Sequence, residues 1–214
     1  MKRTINRSAK AVFVAGVAAV LLNGCASTSS QVIETPKVAS YGTSYNGTKS
    51  KLVVGQFVNR ANFQNGLFST GVDMLGNQAK TSLISHLQQT NRFSVMDRDN
   101  MQLLSGEAEI TGVQQSLKGA RYVITGDVTE FGRKAIGDRQ LFGILGKGKS
   151  QIAYSKVTLN VVDVTSSEVI YSVQGAGEYS LSEREVIGFG STASYDATLN
   201  GKVLDLAIRE VVNK

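Results

Sequence analysis

Three kinds of apolar spacing succeed one another along this 214-residue chain. Ala11–Leu22 is an unbroken run of twelve apolar or small residues. After a polar stretch, Lys51–Val58 is rich in valine and is followed by turn residues, the signature of a strand. Between 67 and 90 the period changes. Phe68, Val72, Leu75, Ala79, Leu83 and Leu87 fall three and four apart, which predicts a helix with one buried stripe, capped by Ser69 or Thr70. Phe93–Met96 reads as a short strand, and residues 98–118 as a helix broken at Gly106 and Gly112. Tyr122–Phe131 is a Val-, Ile- and Thr-rich strand, and 152–164 with 169–179 form a hairpin across Thr165–Glu168. Residues 199–212 close the pattern as a helix with the stripe Val203, Leu204, Ala207, Ile208, Val211 and Val212.

The order β-α-β-α-β-β-β-α predicts an α+β fold, a single sheet with helices packed on one face. Two segments, 132–151 and 181–195, follow neither period. Alone they lack a continuous apolar face, so they are expected to be ordered only by neighbouring subunits or a membrane.

The opening run is too short to span a bilayer, which needs roughly 20 residues. Lys2, Arg3, Arg7 and Lys10 precede it without an acid, as in an export signal. It ends in Leu22-Asn23-Gly24-Cys25, which resembles the bacterial lipobox: a leucine three places before a cysteine, with a small residue between. That resemblance implies cleavage before Cys25 and acylation of its thiol. The alternative is an ordinary export signal with an incidental cysteine. Cys25 is the chain's single cysteine, so a disulfide or a cysteine metal cluster within the chain is excluded. Ala26 stands where an aspartate would be the usual inner-membrane retention signal, so the expected place is the periplasmic face of the outer membrane of a Gram-negative cell, held by acyl chains on Cys25. The domain reading is a signal peptide over 1–24, a lipidated flexible tether over 25–50, rich in Ser, Thr, Gly and Asn, and one domain over 51–214.

Charge changes once the leader is set aside. The whole chain has 23 Lys+Arg against 17 Asp+Glu. Residues 1–24 hold four of those bases and no acid, so from Cys25 onward the balance is 19 against 17, or +2. A nucleic-acid partner is not expected.

Gly143-Ile-Leu-Gly-Lys-Gly-Lys-Ser150 fits the phosphate-loop pattern at every fixed position. That chemistry needs a helix after the loop, whose N-terminal N–H groups hold phosphate. Gln151–Val162 is β-branched and predicts a strand instead, so no nucleotide is expected. His86, the single histidine, falls near the buried stripe of the long helix and reads as a structural residue bonded to a carbonyl or water. No acid pair has catalytic spacing. No catalytic residue, metal ligand or cofactor is assigned, and the chain is read as a non-enzyme.

Several stretches are similar to the curli assembly/transport lipoprotein (CsgG) family: Arg92-Phe-Ser-Val-Met-Asp-Arg98, Tyr122-Val-Ile-Thr-Gly-Asp-Val128 and Val157–Ser172, with Phe142-Gly143-Ile144 as a further tract. Ser167 stands where family members carry glycine, in what reads as a type I turn that tolerates serine. The resemblance implies a homo-oligomeric ring in the outer membrane, in which each subunit lends two β-hairpins to a shared barrel. Segments 132–151 and 181–195 fall where those hairpins belong. A loop after the first strand narrows the channel in such proteins. Here it corresponds to Asn59–Gly66, with Asn62 and Phe63 as candidates for the constriction. The implied partners are exported protein subunits of a curli-like fibre. The rival expectation is a periplasmic accessory lipoprotein without a pore, binding another envelope protein or peptidoglycan.

Overall fold

The computed structural model describes residues 35–62, 72–139, 147–185 and 198–214. Cys25, Phe63, the apolar leader, and residues 140–146 and 186–195 of the two aperiodic segments lie outside the described residues. The compact unit begins at Lys37. Part of the stretch expected as tether therefore packs on the domain: Val38 is buried, and its N–H donates to Gln89 Oε1.

The elements are β1 (Ser50–Asn59), α1 (Met74–Gln89), β2 (Phe93–Val95), α2 (Met101–Thr111), β3 (Tyr122–Arg139), β4 (Lys147–Asp163), β5 (Val169–Glu185) and α3 (Thr198–Asn213). They form one five-stranded sheet in the order β2-β1-β3-β4-β5, with β1 parallel to β2 and β3 and the rest antiparallel. The expected α+β architecture holds. Helix α1 packs on β1, α3 packs on β4 and β5, and the two helices touch each other. Their stripes, Leu75, Ala79, Leu83 and Leu87 on α1 and Val203, Leu204, Ala207, Ile208 and Val211 on α3, meet Leu52, Val54, Ile124, Val128 and Val157 from the sheet. Each fully buried Leu or Ile contributes roughly 1.5–3 kcal/mol.

Several boundaries differ from the pattern reading. Helix α1 starts at Met74, where Asp73 caps it by accepting the Gly76 N–H at 2.7 Å. Val72, placed in the stripe by its spacing, is 62% exposed. Gly106 sits inside an unbroken α2, while Gly112 ends that helix in the left-handed conformation at φ 67°. Ser167 also lies left-handed, at φ 60°, where the glycine of family members would carry no Cβ penalty. Strands β1 and β3 each carry an irregularity, between Val54 and Phe57 and between Val128 and Glu130. These switch the inward residues from Leu52 and Val54 to Phe57 and Asn59, and from Ile124 and Val128 to Phe131.

A further departure concerns 132–139, 147–151 and 181–185, the described parts of the two segments expected to be ordered only by neighbours. Within the single chain, β3 and β4 stay paired out to Arg139↔Lys147, and β4 and β5 out to Lys147↔Glu185. The ladder supplies the main-chain hydrogen bonds that a lone segment would lack.

Candidate functional site

The ladder projects beyond the helix layer as a three-stranded tongue. Among the described residues, α3 meets the base of the tongue where Arg133 Nε donates to Asn200 Oδ1 at 2.8 Å and Lys202 lies over the Tyr179 ring. On one margin, β1 stops pairing with β3 at Asn59↔Val128. Along Lys134–Arg139 that margin carries no strand among the described residues. On the other margin, β5 is the last strand of the sheet.

Register aligns Lys134 with Ile152 and Ile152 with Ser180, and farther out Arg139 with Lys147 and Lys147 with Glu185. Lys147–Ser150, the end of the phosphate-loop pattern, belong to β4. A strand stands where that chemistry needs a helix, as the sequence predicts.

The base of the tongue is anchored by Asp73. Its Oδ2 accepts the Asn59 N–H at 2.7 Å while its Oδ1 caps α1, so one carboxylate ties the end of β1 to the start of the helix. Arg60 and Ala61 both donate their N–H groups to the Val128 carbonyl. Asn62 follows as an exposed bend residue at this end of the sheet. Pattern reading passed over Asp73 in favour of Ser69 and Thr70, although aspartate is among the preferred N-cap residues.

On the outer margin of β5, two side chains of the C-terminal segment reach the main chain. Glu210 Oε2 accepts the Ala176 N–H at 2.5 Å, and Lys214 Nζ donates to the Gln174 carbonyl at 2.7 Å. The same two residues are paired with each other at 2.9 Å. The Ala176 hydrogen bond, with the Lys214 ammonium beside it, holds the Glu210 carboxyl below its ordinary value.

At the end of the domain opposite the tongue lies a groove of about 430 Å³. Its floor comes chiefly from Tyr122, Ile124, Leu159, Val161, Tyr171 and Val173, and its rim includes Arg92 and Lys214.

His86 is buried, 3% exposed, and joins the two packed helices. Its Nε2 lies 2.7 Å from Asp205 Oδ1, and its Nδ1 lies 3.4 Å from Gln89 Oε1. The Ser82 hydroxyl donates to the same Asp205 oxygen at 3.0 Å. Serine and imidazole therefore share one acceptor, and no relay from serine to histidine is formed. The partner is a carboxylate and not the expected carbonyl or water. Burial pushes the Asp205 carboxyl up, the His86 hydrogen bond and charge and the Ser82 hydroxyl pull it down, and the balance is a lowered value.

Comparison with known proteins places these features. The family profile described as curli production assembly/transport component CsgG matches residues 38–214. A provisionally named lipoprotein of Neisseria meningitidis serogroup B is 64% identical over 200 residues, covering 94% of this chain and 90% of the relative. Among solved structures, the chain is similar to the PelC dodecamer of Paraburkholderia phytofirmans, with 16% identity, a TM-score of 0.38, and coverage of 85% of this chain and 93% of that one. It is also similar to the lipoprotein GNA1162 of Neisseria meningitidis, with 13% identity, a TM-score of 0.36, and coverage of 72% and 91%.

Proposed function

The chain belongs to the CsgG family, and on that premise we propose that it is an outer-membrane lipoprotein whose subunits assemble head to tail into a ring that serves export or assembly of extracellular, curli-like protein. Its coarser identity is an envelope lipoprotein of CsgG-like fold. Acylation of Cys25 is the anchor, with two or more chains needed for stable attachment.

The tongue carries the assembly reading. Its ladder has two different margins, β3 along Lys134–Arg139 and β5 beyond Ala176, and neither pairs with a further strand among the described residues. A subunit that offers unlike margins on opposite sides joins its copies heterologously, and such contacts form a ring when the rotation from copy to copy closes. Closure also supplies partners for edge N–H and C=O groups. Asn62, at the base of the tongue, and Phe63 beside it remain the candidates for a constriction.

One observation favours the second reading, an accessory lipoprotein without a pore. A Lys or Arg facing lipid at the bilayer midplane costs roughly 2–4 kcal/mol, and the tongue sequence is rich in bases. Five bases in 132–149, Arg133, Lys134, Arg139, Lys147 and Lys149, stand against Asp138. That balance fits a rim beside lipid phosphates better than a lipid-embedded wall.

The test is planar-bilayer recording on detergent-extracted protein, with electron microscopy of the same sample. Rings that conduct support the export reading. Rings that do not conduct favour the accessory one. Monomers without conductance overturn the ring itself. Metabolic labelling with a fatty acid checks the anchor: Cys25→Ser is expected to accumulate as unlabelled precursor, and label that survives the substitution would refute acylation at Cys25.

A further inference from the structure

Helix α2 has no buried residue, yet it carries Leu103, Leu104 and Ile110 at 65%, 45% and 79% exposure, and Val113 and Leu117 follow it equally bare. A surface helix normally turns its apolar stripe to a core, and clustered apolar exposure marks an interaction site. The same chain has an unfilled apolar surface elsewhere. It is the groove floored by Tyr122, Ile124, Leu159, Val161 and Val173, continued over its shoulder by Ile170 and Tyr171, which are 49% and 46% exposed.

We propose that the α2 ridge of one subunit docks into this groove on the next copy of the chain. The inference rests on the ring reading and names the contact that builds the ring.

Two observations select a second copy as the occupant. The charges are complementary: α2 carries Glu107 and Glu109 with no base between Met101 and Thr111, while the residues lining the groove include Arg92 and Lys214 and no acid. The two surfaces are also unlike. Helix α2 follows β2 and is tied to α1 by the Lys80–Asp99 ion pair just before it. The groove runs across the sheet from Arg92 and Phe93 at β2, past Leu52 of β1, to Val161 and Tyr171 of β4 and β5. A ridge and a groove are not self-complementary, so a contact between them on successive copies is heterologous and repeats from copy to copy.

The Glu210–Ala176 and Lys214–Gln174 hydrogen bonds sharpen this arrangement. They occupy the β5 margin between groove and tongue, so strand addition there is blocked. The groove end of the interface is left to side-chain packing.

The experiment uses full-length protein extracted from membranes in detergent. Cysteines are introduced singly and in pairs, one from Leu103→Cys, Leu104→Cys and Ile110→Cys, the other from Ile170→Cys and Tyr171→Cys. Each sample is oxidised, run on a non-reducing gel and weighed by light scattering. The expected result is a ladder of multimers from paired variants and none from single ones. A ring mass with no ladder from any pair overturns the docking while leaving the ring intact. Dimers from Leu104→Cys alone also overturn it, because they report a symmetric α2–α2 contact. Monomer mass throughout removes the ring and the docking together. As a second readout, Leu103→Glu with Ile110→Glu is expected to lower the assembly to monomers. The monomer's circular dichroism should be unchanged, since neither side chain is buried within one chain. A ring that survives this variant overturns the proposal.

Discussion

The Glu210 carboxylate accepts the backbone N–H of Ala176 at 2.5 Å, and the Lys214 ammonium donates to the Gln174 carbonyl at 2.7 Å. Two side chains from the C-terminal segment thereby occupy a strand margin that would otherwise be open to pairing. Exposed margins invite edge-to-edge association.

Glu210→Ala is expected to release the Ala176 N–H and to leave Lys214 without its carboxylate. Because Glu210 is half-exposed, the direct loss of stability is modest, about 1 kcal/mol once solvent screening is allowed for. The larger effect is specificity: analytical ultracentrifugation should find irregular, concentration-dependent aggregates in place of one defined species. A single species of unchanged mass would contradict the guarding role.

How much of this was legible beforehand depends on how local each signal is. The stripe of α3 follows from spacing within its own sequence, and all of Val203, Leu204, Ala207, Ile208 and Val211 are buried. The start of α1 was misplaced because Val72 continues the period of its stripe yet stands before the Asp73 cap, outside the helix. The irregularities in β1 and β3 change side-chain phase without any change in composition. The tongue was legible only through the family resemblance, which implied hairpins there, because main-chain pairing along Gly-, Lys- and Ser-rich strands needs no apolar alternation. The contact between Glu210 and Ala176 spans 34 residues and has no local signature.

Ser167 sits at φ 60°, in the turn between β4 and β5. There Asp163 gathers the Thr165 N–H on its side chain and the Ser167 N–H on its carbonyl, each at 2.8 Å. A non-glycine residue in the left-handed region costs roughly 1–2 kcal/mol, and glycine returns roughly 0.5–1 kcal/mol of that as extra unfolded-state entropy. Ser167→Gly should therefore stabilise by about 0.5–1 kcal/mol, read as a higher denaturation midpoint at unchanged slope. A lower midpoint would show that the Ser167 side chain contributes more than its backbone strain removes.

Helix α3 lies directly on β5 because two glycines leave room for it. A Cβ at Gly177 would stand 2.6 Å from the Val203 carbonyl oxygen and 2.9 Å from the Ala207 nitrogen, both main-chain atoms of the helix. Relief requires the whole helix to lift, and overpacking of this kind costs about 1–3 kcal/mol. Gly106→Ala makes the contrast. Nothing lies within 4 Å of a Cβ there, and replacing glycine by alanine inside a helix gains about 0.8–1 kcal/mol. Urea titration of the two variants should move the midpoint in opposite directions.

The Asp205–His86 pair links helix packing to pH. Burial raises the Asp205 carboxyl, but the His86 ring and the Ser82 hydroxyl outweigh it and the carboxyl ends up lowered. A carboxyl that is lowered in the folded state adds stability above its unfolded value, about 3.9, and that stability is lost as pH falls through the lower folded value. Stability near neutral pH should therefore be insensitive to this group, with the loss confined to acid below about pH 4. Asp205→Ala removes the acceptor shared by His86 and Ser82. It leaves the imidazole buried, which costs roughly 1–3 kcal/mol. His86→Leu removes ring and hydrogen bond together. It leaves the half-buried carboxylate with the Ser82 hydroxyl, so its penalty at neutral pH should be the smaller of the two. Denaturant midpoints at pH 7 and pH 3 decide the matter. Asp205→Ala should be well below wild type at pH 7, and the gap should narrow at pH 3, which lies below the unfolded value of the carboxyl, about 3.9. A gap of equal size at both pH values would mean that packing, and not the Asp205 charge, holds α1 against α3.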